Sequence, residues 1–164
     1  AAMVMLNTYA IPQADTKQQR YNVLLRQIRD IIYNENDLIA NLGNIAAILH
    51  QGMNFSWTGF YFVEGEELIL GPFQGPAART RIGKEEGVCG TAFSKECTVM
   101  VQDVEEYVGH ISLNDYDKSE IAIPAYRKGE VSLVLNINSH QLHNFTDLDK
   151  RNLQQVMHLI EEVL

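Results

Sequence analysis

The hydrophobic period of this chain changes twice, from helical to strand-like after residue 53 and back again after residue 146. These two switches constrain the fold more tightly than any composition figure. Residues 17 to 33, "KQQRYNVLLRQIRDIIY", set Leu24, Leu25, Ile28, Ile31 and Ile32 at three- and four-residue spacing, which predicts a helix with one apolar face. "NDLIANLGNIAAILHQGM" repeats the pattern through Leu38, Leu42, Ile45 and Leu49 behind Asn36 as expected N-cap. Gly43 weakens that second helix by about 1 kcal/mol relative to Ala. Aromatic and β-branched runs then take over. "SWTGFYFV" and "ELILGPF" flank "EGEE", a hairpin whose Gly65 supplies turn freedom. "RTRI" and "TVMVQDV" read as short strands around the Gly-rich "GVCGTAFSKE", which opens a further helix near Cys89. "SEIAIPAYRKGEVSLVLNINS" is a second hairpin turning at Lys128 and Gly129. Thr146, with Asp149 three residues on, starts a closing helix striped by Leu153, Val156, Leu159, Ile160 and Val163. Helices at both ends of a hairpin-linked antiparallel sheet predict an α+β fold. We expect one domain over residues 1–164, with 1–15 a loosely ordered leading segment.

Charge and cysteine usage narrow the partners. A formal net charge of −8 repels phosphate backbones and anionic lipids, so nucleic-acid and membrane binding are disfavoured and a small neutral or zwitterionic ligand is favoured. No apolar run approaches the roughly 18 residues of a membrane span, and "AAMVMLNTYA" lacks the basic start and apolar stretch of a secretory signal. Two cysteines, Cys89 and Cys97, match neither a disulfide framework nor a zinc motif, which predicts a reducing, cytoplasmic setting with no metal and no cofactor.

Four segments in order, "WTGFYFV…ELILGPFQG", "RIGKEEGVCGTA", "DVEEYVGHI" and "SEIAIP", resemble the free methionine-(R)-sulfoxide reductase family, whose members are single GAF domains. The resemblance runs from Trp57 to the C-terminal helix. It implies a six-stranded antiparallel sheet flanked by helices, a homodimer, and a ligand pocket between the sheet and long loops. It also implies a chemistry: a thiolate attacks the sulfoxide sulfur, methionine leaves, and a second cysteine resolves the sulfenic acid to a disulfide that thioredoxin can reduce.

Cysteine-bearing segments resembling "PACxRI", "GVCG" and "GHIACD" stand here as "AARTRI", "GVCG" and "GHISLN". Position by position, the resemblance puts the nucleophile on Leu113 and a resolving cysteine on Arg79, leaving Cys89. A segment resembling "VLDIDS" stands as "VLNINS", so Asn136 and Asn138 replace two carboxylates, while Glu120, Trp57 and Tyr61 are retained as ligand-pocket residues. Leucine has no nucleophilic atom, so the family reaction fails at that position.

Each remaining residue has two readings. At a helix start, the Cys89 thiol would be made more acidic by the macrodipole; packed beside Gly87 and Gly90 it would be buried and inert. A Cys89–Cys97 disulfide requires Cα atoms within about 7 Å. Glu120 is a pocket carboxylate or a solvent-facing strand residue. The two asparagines contact ligand or satisfy loop backbone. His110 orders its loop or acts as a base, whereas His140 and His143 are solvated. Three functions follow: a reductase-inactive domain that binds a small molecule, a residual reductase using Cys89 with an external thiol or thioredoxin, or a structural homodimer with a collapsed pocket.

Overall fold

The computed structural model describes residues 16–111 and 116–164. Leu113 and the leading segment 1–15 lie outside the described residues, so neither expectation has a structural counterpart. The elements run α1 (Lys17–Ile32), α2 (Leu38–Met53), β1 (Trp57–Glu64), β2 (Glu67–Gln74), β3 (Arg81–Gly83), α3 (Gly87–Lys95), β4 (Val99–Val101), β5 (Ser119–Arg127), β6 (Glu130–Ser139) and α4 (Asp147–Glu161). A 3₁₀ turn over Val104–Glu106 lies between β4 and β5.

Local chemistry sets the helix ends. Thr16 and Gln19 exchange side-chain and backbone bonds in a capping box that opens α1, and Thr146 and Asp149 do the same for α4. The N-cap of α2 is Asp37 rather than the expected Asn36; the Asp37 carboxylate accepts from the Ala40 amide at 2.8 Å. In "NEND" either side chain can cap, and the ionised one also complements the positive end of the helix.

The six strands form one antiparallel sheet in the order β3-β2-β1-β6-β5-β4. Because successive strand residues point to opposite faces, the sheet separates two cores. Phe60, Ile121, Ile123, Leu133, Leu135 and Ile137 pack with α1, α2 and α4 on one face. Trp57, Tyr61, Ala122 and Val134 face the other way, with Cys89, Ala92 and Phe93 of α3. Lys128 and Gly129 turn the β5–β6 hairpin with φ of 53° and 80°, the paired left-handed conformation that suits a two-residue hairpin turn. No helix of the described residues is long and apolar enough to cross a membrane.

Candidate functional site

The α3 face of the sheet carries the polar residues singled out by sequence. On β1, Trp57, Gly59 and Tyr61 point this way; on β6, Asn136 and Asn138 sit beside them, paired in register with Gly59 and Trp57. On the far side of β6, Asn138 pairs with Glu120 of β5. Three neighbouring strands thereby bring residues 57 to 138 of the chain onto one patch.

Glu120 is a buried carboxylate, 6% exposed, because β5 is flanked by β6 and β4; the solvent-facing alternative is excluded. Both its oxygens are occupied. Asn136 Nδ2 donates to Oε2 at 2.8 Å, and His110 Nε2 donates to Oε1 at 3.0 Å. Asn138 Nδ2 reaches Asn136 Oδ1 at 3.4 Å, extending a chain of polar groups beneath the site. The two asparagines are 3% and 2% exposed, and both face the buried strand surface rather than a loop. His110 orders its loop through Glu120, a partnership that sequence spacing did not indicate. The loop is held further back as well: Tyr107 donates its hydroxyl to Thr91 Oγ1 at 2.9 Å, and the His110 amide donates to the Tyr107 carbonyl at 3.2 Å.

Cys89 lies in the first turn of α3 and is 3% exposed. Burial pushes its thiol well above the usual value, and the Glu120 charge adds to the rise. This reverses the sign expected from the helix dipole. Desolvation of a thiolate outweighs partial charges worth at most about 2 kcal/mol in a short helix. Gly87 enters α3 at φ +65°, and a Cβ there would lie 2.9 Å from Ile111 Cδ1, so the absence of a side chain lets Ile111 pass close to the start of the helix. Cys97 lies exposed in the turn between α3 and β4, and both cysteines are free.

Tyr61, Arg79, Ile82, Glu86, Val88, Cys89, Ile111, Glu120 and Asn136 line one cavity of about 20 Å³, room for about one water. Burial chiefly raises the Tyr61 phenol above its ordinary range, with Cys89 and Glu120 adding and the Arg79 guanidinium opposing. The Tyr61 hydroxyl donates to the Arg79 carbonyl at 2.9 Å. Trp57 does not line this cavity. Its indole stacks on Phe73 and Tyr61 with ring centroids 5.3 and 6.1 Å away, and Nε1 donates to the Pro76 carbonyl at 3.0 Å. It lies so close over Gly59 that a Cβ there would come within 2.4 Å of the ring. Asn138 stands one layer behind, in contact with Asn136. Glu86 was not expected here, although the acidic run in "GKEEGVCG" is an available signal for it; Arg79 was expected at a resolving-cysteine position and as a side chain able to fill the cavity. Roomier grooves occur elsewhere, one of about 420 Å³ beside Lys17, Arg20 and His140, and one of about 240 Å³ beside Cys97 and Tyr126. Neither includes Tyr61, Glu120 or either asparagine. Among the described residues no three His, Cys, Asp or Glu side chains gather as a metal site.

Residues 35–164 match the GAF domain family. The chain is 36% identical over 149 residues to the free methionine-R-sulfoxide reductase of Escherichia coli (strain K12), covering 90% of each protein. This chain is a GAF-domain protein related to the free methionine-R-sulfoxide reductases. GAF domain-containing protein A of Dictyostelium discoideum is 46% identical over 147 residues, 89% of this GAF domain and 93% of that protein. Among solved structures, the free methionine-R-sulfoxide reductase of Neisseria meningitidis in complex with its substrate superposes with a TM-score of 0.90 at 38% identity, covering 92% of both chains. The six-stranded antiparallel sheet and its flanking helices are those of this GAF fold.

Proposed function

We propose that this GAF domain has lost the sulfoxide reductase reaction named for its relatives and keeps the Tyr61–Glu120–Asn136 cavity as a small-molecule binding site. One observation carries the reading. Among the described residues the single sulfur lining the cavity is the Cys89 thiol, buried and held protonated beside a carboxylate. Reduction of a sulfoxide transfers two electrons from sulfur nucleophiles to the substrate, and it begins with a thiolate. A thiol kept neutral does not begin it, and Leu113, at the position the resemblance assigns to the nucleophile, contributes none. The binding side draws support from the polar floor: a purely structural core would not need a carboxylate braced by His110 and Asn136. We further propose that the protein works in the cytoplasm as a homodimer, a setting suited to a free, exposed Cys97 thiol.

Cys89 lines the same cavity as Glu120, which favours a second reading, a residual reductase resolved by an external thiol or thioredoxin. NADPH oxidation coupled through thioredoxin and thioredoxin reductase, with free methionine-(R)-sulfoxide as substrate, separates the two. The expected rate equals that without the GAF domain. Turnover above that control, abolished in Cys89→Ser, overturns the inactive reading. A thermal-shift screen of metabolites tests binding: a ligand at a hundredfold excess over its dissociation constant stabilises the fold by about 2.7 kcal/mol. No shift from any compound indicates a collapsed cavity.

A further inference from the structure

We propose that Arg79 makes the cavity a receptor for short-chain aliphatic monocarboxylates, releasing Glu86 to take the carboxylate of the ligand. This rests on the reading of the cavity as a binding site. A volume of about 20 Å³ admits no organic ligand until part of the wall moves, and the most easily moved part is the pair Arg79 and Glu86. Both side chains are substantially exposed, at 47% and 39%. An exposed pair of this kind is worth at most about 1 kcal/mol.

Its geometry is also incomplete. A single guanidinium nitrogen, Arg79 Nη2, donates to Glu86 Oε1 at 3.0 Å. Oε2 stands 2.9 Å from that nitrogen, outside hydrogen-bonding direction, and this buried oxygen has no donor among the described residues. The Nε and Nη1 groups of Arg79 likewise meet no acceptor among the described residues. A carboxylate approaching edge-on would gain the parallel two-point contact that Glu86 does not make. The root of the side chain is already fixed by the Tyr61 hydroxyl on the Arg79 carbonyl, so little backbone order has to be gained on binding.

Charge and shape select the ligand class. One guanidinium balances one negative charge, while Glu120 on the far wall penalises a second, which disfavours phosphate and dicarboxylates. Glu120 already accepts from Asn136 and His110, so it offers an amine less than an unpartnered carboxylate would. Ile82, Val88 and Ile111 supply apolar walls for a short alkyl tail.

The test titrates acetate, butanoate, hexanoate, butanamide, butylamine and inorganic phosphate, at constant ionic strength, into the ¹⁵N-labelled protein. The readouts are the Arg79 Nε–H resonance, assigned by its loss in Arg79→Lys, and the backbone amide resonances of the cavity residues, which report affinity in Arg79→Gln. Butanoate is expected to move it and to bind more tightly than acetate. Butanamide is expected to bind about tenfold or more weakly, as charge-assisted bonds are lost. Arg79→Gln should cut butanoate affinity to the butanamide level while leaving butanamide unchanged, a split that general loss of structure would not produce. Glu86→Gln, which removes the competitor for the guanidinium, should tighten butanoate binding by about two- to fivefold. Equal affinity for butanoate and butanamide, preference for butylamine or phosphate, or weaker binding in Glu86→Gln overturns the role of Arg79 and leaves the binding-site reading standing. Failure of every compound to perturb any cavity resonance overturns the carboxylate proposal, and the binding-site reading falls with it only if the metabolite screen also gives no shift.

Discussion

Replacing Asn136 by Asp tests whether the floor of the cavity depends on an uncharged donor. Asn136 Nδ2 lies 2.8 Å from Glu120 Oε2. The substitution puts a second carboxyl in that place, with charge centres about 4 Å apart. At an effective dielectric constant near 20 the repulsion between two ionised groups is about 4 kcal/mol. The introduced carboxyl therefore holds a proton in the folded state, where its O–H can replace the amide as donor, and releases it readily when unfolded. Its folded pKa is raised, so the folded state binds the extra proton between the unfolded and folded values. Stability must consequently fall as pH rises through that window. The slope is about 1.4 kcal/mol per pH unit, and a 4 kcal/mol repulsion spreads the loss over about three units above pH 4. Urea denaturation of Asn136→Asp and the parent from pH 4 to 8 measures the difference directly; His110 and Cys89 are common to both proteins. Asn136→Ala is the control, expected to cost about 1–3 kcal/mol with little pH dependence, since it leaves Glu120 short of a donor without adding charge. A deficit in Asn136→Asp that stays flat with pH, or grows toward acid, would refute the buried Asn136–Glu120 contact.

Two further outcomes follow from burial. A disulfide reagent at pH 8 should titrate Cys97 rapidly and Cys89 only after denaturation, because Cys97 is exposed and burial keeps the Cys89 thiol protonated; two fast thiols in the folded protein would contradict this. Asp149 accepts from Tyr21 Oη at 2.6 Å, Lys17 Nζ at 2.7 Å and the Thr146 amide at 2.9 Å. Asp149→Ala should cost about 2–5 kcal/mol by urea denaturation, from a stranded buried hydroxyl plus a lost cap. A cost under about 1 kcal/mol would show that this carboxylate does not tie α1 to α4.

What was legible in the sequence follows the range of the interactions that decide it. Trp57, Tyr61, Asn136 and Asn138 were singled out by the family resemblance, and the strand register sets them on neighbouring positions of one patch. Caps were legible to within a residue, since Asn36 and Asp37 compete on nearly equal local terms. The fate of Glu120 was not legible. Nothing within "SEI" distinguishes a central strand from an edge, and the carboxylate is buried because β4 and β6 close on both sides of β5. The contact at Arg79 was hidden for the same reason: Tyr61, whose hydroxyl meets its carbonyl, is 18 residues away in sequence.

The state of Cys89 shows how local and long-range effects can disagree in sign at one atom. The helix start favours a thiolate and can be read from "GVCG"; burial and the charge of Glu120 oppose it and come from elements far along the chain. Removing the Glu120 charge would relieve the smaller of the two opposing causes and leave desolvation in place. Ile111, which follows His110 in the chain, lines the same cavity as Cys89, so the loop whose His110 meets Glu120 also contributes to the burial of the thiol. Moving that loop to expose the thiol would therefore disturb the His110–Glu120 contact as well, which sets the acidity of Cys89 and the bracing of the carboxylate against each other.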